Sequence, residues 1–196
     1  MASLNHITAR DALALFLDHL SSERRLAEKT VEVYKRDISA FLSFQTDYSG
    51  KALTLPDLEA LKVTEFRAYL AHKRRGDKPL SSASLAQHLS ALRTFYRYLH
   101  RRWDIDCAAL ALIKGPRAKA PLPKPLSVSG AAEIVSTLSH MDERPWVNAR
   151  NIAVMMLLYG AGLRISEALS LKGSDAHLGE SLMITGKGGK TRLVPI

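Results

Sequence analysis

Two short segments near the end of the chain carry the residue types that could act on a phosphate group. Residues 159–169 read YGAGLRISEAL, and residues 186–195 read GKGGKTRLVP. Gly160 and Gly162 precede Arg164, and glycine allows the positive φ that ends one helix and starts another. An arginine held at such a corner presents its N–H donors in a planar arrangement that fits a phosphate. The first segment therefore predicts an anion-binding guanidinium at Arg164.

The second segment predicts a β-hairpin with a cation at its turn. Residues 182–185 and 192–194 have strand-like composition and flank a turn rich in glycine and lysine. Lys187 and Lys190 both could place an ammonium group at this turn. Lys187 is favoured because it directly follows the first glycine of the turn.

These two motifs, in this order and at this separation, resemble those of the tyrosine recombinases, the phage integrase family. The residues of the two motifs resemble those of the Xer branch of that family and are closest to those of its XerC members. The resemblance extends from about residue 13 to residue 196. It implies a mainly α fold, in which a four-helix SAM-like core-binding domain precedes the first part of an α+β catalytic domain that contains a β-hairpin.

Cleavage of a DNA phosphodiester by covalent catalysis needs a nucleophile, cations that stabilise the transition state, and an acid for the leaving hydroxyl. By resemblance, Arg164 is the first catalytic arginine and Lys187 is the general acid. Glu167, one turn beyond Arg164, is expected to orient it through a charge-assisted hydrogen bond. The family's second arginine, in a His-x-x-Arg motif, and its nucleophilic tyrosine come later, and neither occurs between Arg164 and Ile196. We therefore expect these 196 residues to bind DNA without cleaving it.

The resemblance implies site-specific DNA recombination through a 3′-phosphotyrosyl intermediate and a Holliday junction, in the resolution of chromosome dimers at cell division and chromosome partition. It implies a XerD-like partner recombinase and a DNA translocase of the FtsK type. Transesterification conserves bond energy, so no nucleotide or metal cofactor is expected. One alternative is a phage or integron integrase, and another is a non-catalytic duplex-DNA-binding protein that uses the helical domain. An RNA-binding or scaffold protein is a third hypothesis.

Composition and charge are compatible with a DNA partner. The formal net charge is +9, and the single cysteine excludes an intramolecular disulfide and a multi-cysteine metal site. No apolar run reaches the roughly 18 residues of a membrane span, and the N-terminus has no signal-peptide pattern. We expect a cytoplasmic protein without a metal site or membrane partner.

Hydrophobic periodicity predicts helices in the first half of the chain, with apolar residues at helical spacing. The expected segments are residues 8–23, 30–48, 64–75 and 81–99, capped by Thr8, Thr30, Thr64 and Ser81 or Ser82, with a short turn at 56–61. Between residues 114 and 125 lie four prolines and four Lys or Arg residues, which indicates an extended linker. The predicted organisation is a helical domain over 1–113, a linker over 114–126 and an incomplete catalytic domain over 127–196.

Basic residues recur on one face of the 81–99 helix. Arg93, Arg97 and Arg101 are four residues apart, a step of about 6 Å along the axis, and such a stripe could follow a DNA backbone. A charge run by itself more often marks a solvated helix face. The resemblance favours DNA, because it implies that the 30–48 and 81–99 helices contact the duplex. The candidate DNA-binding residues are Lys35, Arg36, Ser84, Gln87, Arg93 and Arg97.

The second domain is expected to begin with a helix capped by Ser127 or Ser129. Residues 148–159 are almost wholly apolar after Asn151, which predicts a helix buried on all sides. Tyr159 follows the apolar residues 155–158 and precedes the glycine corner, which predicts that it packs in the core. The resemblance places the family's nucleophile much later. A short helix over 163–171 follows Arg164.

Overall fold

A computed structural model describes residues 6–75, 79–116, 124–176 and 179–196, without the side chains of Ala176 and Lys187. The chain divides into two compact units, Met1–Ala120 and Pro121–Ile196. Most of the predicted linker over 114–126 lies outside the described residues, and the predicted domain boundaries stay a prediction. No helix in the described ranges has both the length and the apolar character needed to cross a bilayer.

The first unit is helical, and its main helices occur where the hydrophobic periodicity places them. The helices are α1 (Ala9–Ser22), α2 (Glu28–Ser49), α3 (Leu55–Glu59), α4 (Val63–Arg75), α5 (Ser82–Trp103) and α6 (Ala108–Ala111). Thr8 and Ser81 cap α1 and α5 as expected. The predicted starts of α2 and α4 are wrong, because Thr30 and Thr64 lie inside the first turns of these helices. The carboxylate of Glu65 instead accepts the backbone N–H of Lys62 at 2.7 Å, just before α4 begins.

Aromatic rings fill the core of the first unit and connect its helices. Phe41 of α2 stacks on Phe66 of α4 with ring centroids 5.4 Å apart. Phe16 of α1 contacts Phe95 of α5 at the same centroid distance, 5.4 Å. All four side chains are buried, so α1, α2, α4 and α5 share one continuous core. This core fixes the exposed faces of α2 and α5 that carry the predicted DNA contacts.

The second unit combines helices with one hairpin, as the sequence predicts. Its helices are α7 (Val128–Leu138), α8 (Pro145–Tyr159) and α9 (Ile165–Leu169), and its strands are β1 (Ser181–Thr185) and β2 (Thr191–Pro195). The strands are antiparallel, with Leu182 opposite Val194 and Ile184 opposite Arg192. Leu182, Ile184 and Val194 pack against Ala161 and Leu163, which lie in the segment between α8 and α9. The hairpin is thereby attached to the helices that flank Arg164.

The prediction that α8 is buried on all sides is wrong for the described part of the unit. Met156 is 62% exposed and Tyr159 is 45% exposed, so Tyr159 is not a core residue either. Periodicity reports how apolar a helix is and does not report which neighbours cover it. Val147 and Asn148, near the start of α8, are its buried residues.

One buried hydrogen bond of the first unit gives a test of its packing. The Tyr96 hydroxyl on α5 donates to the backbone carbonyl of Leu58 on α3 at 3.0 Å. We expect Tyr96→Phe to lower the free energy of unfolding by about 1–3 kcal/mol, because it leaves a buried carbonyl without its partner. Chemical denaturation followed by circular dichroism measures this.

Tyr98→Phe is the matched control on the same helix. The buried Tyr98 hydroxyl has no hydrogen-bond partner among the described residues, so its removal should change the unfolding free energy by less than about 0.5 kcal/mol or stabilise the protein. Equal losses for the two variants would contradict the assignment of the Tyr96 contact.

Candidate functional site

Arg164 lies at a sharp corner between α8 and α9. Gly162 has a φ of +63°, and the Leu163 amide then donates to the Leu157 carbonyl at 3.1 Å, which turns the chain back onto α8. Gly160 has a φ of −79°, so the expectation of a positive φ there is wrong. A Cβ at Gly160 would lie 2.9 Å from the Met156 carbonyl oxygen, so this glycine is needed for space. Arg164 follows as the N-cap residue of α9.

The carboxylate of Glu167 is the centre of this site. Glu167 is 4% exposed, and its oxygens accept the Arg164 backbone N–H at 2.8 Å and the Arg164 Nη1 at 2.9 Å. The expected hydrogen bond between Glu167 and Arg164 is therefore present in the structure. The Arg164 side chain remains 67% exposed. Glu167 thus fixes one side of the guanidinium and leaves the rest of it accessible to a ligand.

Arg192 is a second guanidinium on the same carboxylate, and it was not among the predicted site residues. Its Nη1 donates to Glu167 Oε1 at 2.9 Å, and its Nη2 donates to Oε2 at 2.8 Å. Arg192 stands two residues before the buried Val194, so strand alternation puts both side chains on the inner face of the hairpin. That alternation was the signal in the sequence that could have found it.

The hydrogen bonds of Glu167 shift its titration. The Arg192 side chain, and then the Arg164 backbone N–H, hold the pKa of the Glu167 carboxyl well below its usual range. The same contact raises the pKa of the Arg192 guanidinium. All three groups are charged at neutral pH, and the cluster carries one net positive charge from two guanidiniums and one carboxylate.

The hairpin turn begins directly beside this cluster. A Cβ at Gly186 would lie 3.0 Å from Glu167 Oε1 and 3.7 Å from Arg164 Nη1. Lys187 is the next residue and starts the 3-10 turn Lys187–Gly189. The backbone therefore places position 187 next to Arg164, although the Lys187 side chain lies outside the described atoms. Lys190 is exposed at the other end of the turn, and the choice between the two lysines stays open.

In the first unit, Arg36 and Gln87 meet on one buried carboxylate. Asp37 is fully buried on α2, and its oxygens accept the Arg36 Nε at 2.9 Å and the Gln87 Nε2 at 3.3 Å. Gln87 belongs to α5, so these two predicted DNA-binding residues come together where α2 and α5 adjoin. Lys35 is exposed on α2 beside Arg36.

The remaining predicted DNA-binding residues have local partners on or near α5. The Arg93 Nη2 donates to the Ile113 carbonyl at 2.7 Å, so this arginine also anchors the chain that follows α6. The exposed Arg97 guanidinium donates from Nη2 to Thr94 Oγ1 at 2.9 Å and from Nε to the Arg93 carbonyl at 3.3 Å. Ser84 lies in the first turn of α5, and its amide donates to the capping hydroxyl of Ser81 at 3.1 Å.

The described ranges contain no cluster of three or more His, Cys, Asp or Glu side chains suited to a metal ion. Cys107 is buried, and burial raises the pKa of its thiol. The donors of the candidate site are cations, which suits an anionic ligand.

Glu167→Gln tests whether this carboxylate holds the hairpin against α9. Because the folded pKa of Glu167 is lowered, its contribution to stability is complete at pH 7. It declines as the pH falls below about 4.5, the ordinary value for this carboxyl, and continues to decline toward the folded pKa. We expect faster amide hydrogen exchange in the hairpin of Glu167→Gln at pH 7, with a difference from wild type that shrinks at acid pH.

Glu133→Gln is the control, because Glu133 is an exposed carboxyl on α7 of the same unit. It should leave hairpin exchange unchanged at both pH values. Wild-type exchange in Glu167→Gln at pH 7 would show that the carboxylate does not secure the hairpin.

Family profiles and relatives place these features in context. A profile described as "Phage integrase, N-terminal SAM-like domain" matches residues 13–103, and one described as "Phage integrase family" matches residues 131–196. The chain is 43% identical to the tyrosine recombinase XerC of Mesorhizobium japonicum over 183 residues, which cover 92% of this chain and 58% of the relative. It is 44% identical to XerC of Methylobacterium nodulans over 191 residues, which cover 95% of this chain and 58% of the relative. The chain therefore spans less than two thirds of the length of these relatives.

Solved structures show the same fold at lower identity. A lambda integrase tetramer bound to a Holliday junction matches with a TM-score of 0.72 and 19% identity, over 100% of this chain and 52% of that chain. The XerH recombinase bound to its difH substrate matches with a TM-score of 0.62 and 18% identity, over 94% of this chain and 51% of that chain. The motifs around Arg164 and Lys187, the profile matches and the shared fold agree: this chain belongs to the phage integrase family of tyrosine recombinases, in its Xer branch.

Proposed function

We propose that this chain is the DNA-binding domain and the first part of the catalytic domain of a XerC-like site-specific recombinase. The observation that carries the proposal is the Glu167 cluster, which presents an exposed guanidinium beside a lysine-bearing turn. The identity to XerC relatives over most of the chain supports the same activity for the whole protein. The proposed organisation is a DNA-binding domain over 1–113, a linker over 114–126 and the catalytic part from 127.

In this proposal, Arg164 binds the scissile DNA phosphate. Its guanidinium would stabilise the negative charge that develops on the phosphoryl oxygens when a nucleophile attacks. Because Glu167 already fixes its orientation, the side chain loses little freedom when the phosphate arrives. The net positive charge of the cluster favours the same ligand.

Lys187 is the proposed general acid. The leaving 5′ oxygen needs a proton, and an ammonium group on the turn next to Arg164 could supply it. The position of Gly186 against Glu167 supports this role, because it keeps the turn close to the phosphate-binding arginine. Lys190 is the alternative donor in the same turn.

The proposed biological reaction is chromosome dimer resolution in the cytoplasm, by strand exchange on double-stranded DNA through a 3′-phosphotyrosyl intermediate and a Holliday junction. A XerD-like recombinase and a DNA translocase of the FtsK type are the proposed partners, and no metal or nucleotide is required. The chain covers 58% of the XerC relative of Mesorhizobium japonicum, and the nucleophile is proposed to lie in the part of the protein that corresponds to the rest of that relative. The chain alone is therefore proposed to bind duplex DNA without cleaving it.

Binding and cleavage can be tested separately. The 196-residue chain should shift a duplex that carries a palindromic recombination site in preference to random duplex of equal length. With a nicked suicide substrate it should form no covalent adduct on a denaturing gel. A covalent adduct would refute the proposal that the chain binds DNA without cleaving it. Equal affinity for single-stranded RNA would refute the proposal that duplex DNA is the ligand.

Arg164→Ala and Arg192→Ala are expected to differ in effect. In the full-length protein, Arg164→Ala should lower the cleavage rate by about 10²–10³-fold, because a preorganised charge on the transition state is lost. It should barely change thermal stability, since the Arg164 backbone N–H still donates to Glu167 and Arg192 still pairs with it. Arg192→Ala should lower the melting temperature more. A larger melting-temperature loss for Arg164→Ala would indicate a structural arginine.

The basic face of α5 is tested through salt dependence. Arg97→Gln should weaken binding to any duplex sequence and reduce the slope of log K against log salt by about one unit for each lost phosphate contact. Arg93→Gln should do the same but also lower stability, because Arg93 holds the Ile113 carbonyl. Arg67→Gln, at an exposed arginine on α4, is the control and should leave the slope unchanged. An unchanged slope in Arg97→Gln would show that this face points to solvent.

A further inference from the structure

A buried chain of polar side chains runs through the first unit from α4 to the exposed edge of α2 and α5. The Tyr69 hydroxyl on α4 lies 2.9 Å from His88 Nδ1 on α5. His88 Nε2 lies 3.3 Å from Asp37 Oδ1 on α2, and Asp37 in turn accepts hydrogen bonds from Arg36 and Gln87. Tyr69, His88 and Asp37 are buried. The chain thus connects three helices and ends at two surface side chains.

The polar contacts along this chain favour one proton arrangement. Burial lowers the pKa of His88 more than the Asp37 carboxylate raises it, and the nearby charges of Lys73 and Arg36 lower it further. In the neutral form that this shift favours, a proton on Nε2 faces the Asp37 carboxylate, 3.3 Å away. The Tyr69 hydroxyl then donates to Nδ1. Asp37 is thus contacted by His88 and Gln87 of α5 and by Arg36 of α2.

The exposure of Arg36 and Gln87, at the end of the buried chain, suggests a role beyond the packing of the helices. A buried carboxylate costs free energy, and apolar residues of similar volume often replace buried ionic groups without loss of stability. Here the Arg36 side chain is 65% exposed, with its Nε and Nη2 both directed at Asp37 Oδ1. The Nη1 group of a guanidinium remains for another acceptor. Gln87 is also exposed and has a fixed amide.

We propose that Tyr69, His88 and Asp37 are positioning residues that hold Arg36 and Gln87 in the arrangement in which they contact the DNA backbone. The inference rests on the proposed DNA-binding role of α2 and α5. It adds that affinity depends on buried residues that do not touch DNA. The effect is one of preorganisation, because a side chain that is already ordered loses less entropy when the phosphate binds.

Variants of His88 separate positioning from simple packing. His88→Leu removes the polar contact to Asp37, whereas His88→Gln can keep it, because its amide nitrogen occupies about the place of Nε2. We expect His88→Leu to weaken binding of a 30-base-pair duplex by about two- to tenfold, the loss for one released side chain. His88→Gln should bind nearly as wild type does. Fluorescence anisotropy with the 196-residue chain measures this, and circular dichroism confirms folding at the assay temperature.

A double-mutant cycle distinguishes a positioning role of His88 from a purely structural one. In the Arg36→Ala/Gln87→Ala background, His88→Leu should have no further effect on affinity, because the side chains that it positions are gone. Leu99→Ala, at a buried leucine near the other end of α5, is the control for destabilisation and should leave affinity unchanged. If His88→Leu does not fold, Tyr69→Phe takes its place, since it removes only one hydroxyl.

The outcomes separate this inference from the function on which it rests. If His88→Leu weakens binding equally in both backgrounds, the buried chain is only structural, while DNA binding stands. If Arg36→Ala/Gln87→Ala binds as tightly as wild type, these two side chains do not contact DNA and the inference fails. If the wild-type chain does not bind duplex DNA, the proposed function fails, and this inference fails with it.

Discussion

The contact between the Glu167 carboxylate and two guanidiniums is the interaction on which the candidate site depends. It joins the N-terminus of α9, which carries Arg164, to β2, which carries Arg192. A buried carboxylate with one guanidinium would be neutral, but with two it leaves a net positive charge at the surface. The same contact therefore holds the hairpin in place and leaves Arg164 able to attract a phosphate. Arg192 carries the structural part of this task, through two hydrogen bonds to Glu167.

Both units use a buried carboxylate to order exposed hydrogen-bond donors. In each, a buried carboxylate lies beneath exposed donors that are predicted to contact DNA: Asp37 beneath Arg36 and Gln87, and Glu167 beneath Arg164. A free arginine on a helix surface samples many rotamers, whereas one tied to a buried acid samples few. A DNA phosphate accepts hydrogen bonds, so it needs donors that the buried carboxylate does not occupy. Both arrangements leave such donors on the exposed side chains. The buried carboxylates thus restrict the rotamers of the exposed side chains that they accept hydrogen bonds from.

The sequence predicted the main helices of the first unit, the corner at Arg164 and the hairpin better than it predicted the packing. Apolar spacing located the main helices of the first unit, and the glycine corner and turn located Arg164 and the hairpin. Arg192 was not predicted, although strand alternation places it on the same face as Val194, because its partner Glu167 lies 25 residues earlier in the chain. The burial of α8 was wrong because composition shows that Met156 is apolar but does not show what covers it. Asp37 and His88 could not be predicted, since their contacts join helices that are distant in sequence.

The two units depend on different forces, and this matters for the site. Among the described residues, the core of the first unit contains aromatic rings from α1, α2, α4 and α5, whereas that of the second is a small cluster around Leu163, Ala168, Leu182, Ile184 and Val194. A small apolar core supplies little stabilisation, so polar contacts carry a larger share of it. The Glu167 contacts are charged and depend on pH, unlike the burial of Phe16 or Phe41. The geometry of the candidate catalytic site therefore depends on a titratable contact, whereas the aromatic core of the first unit does not.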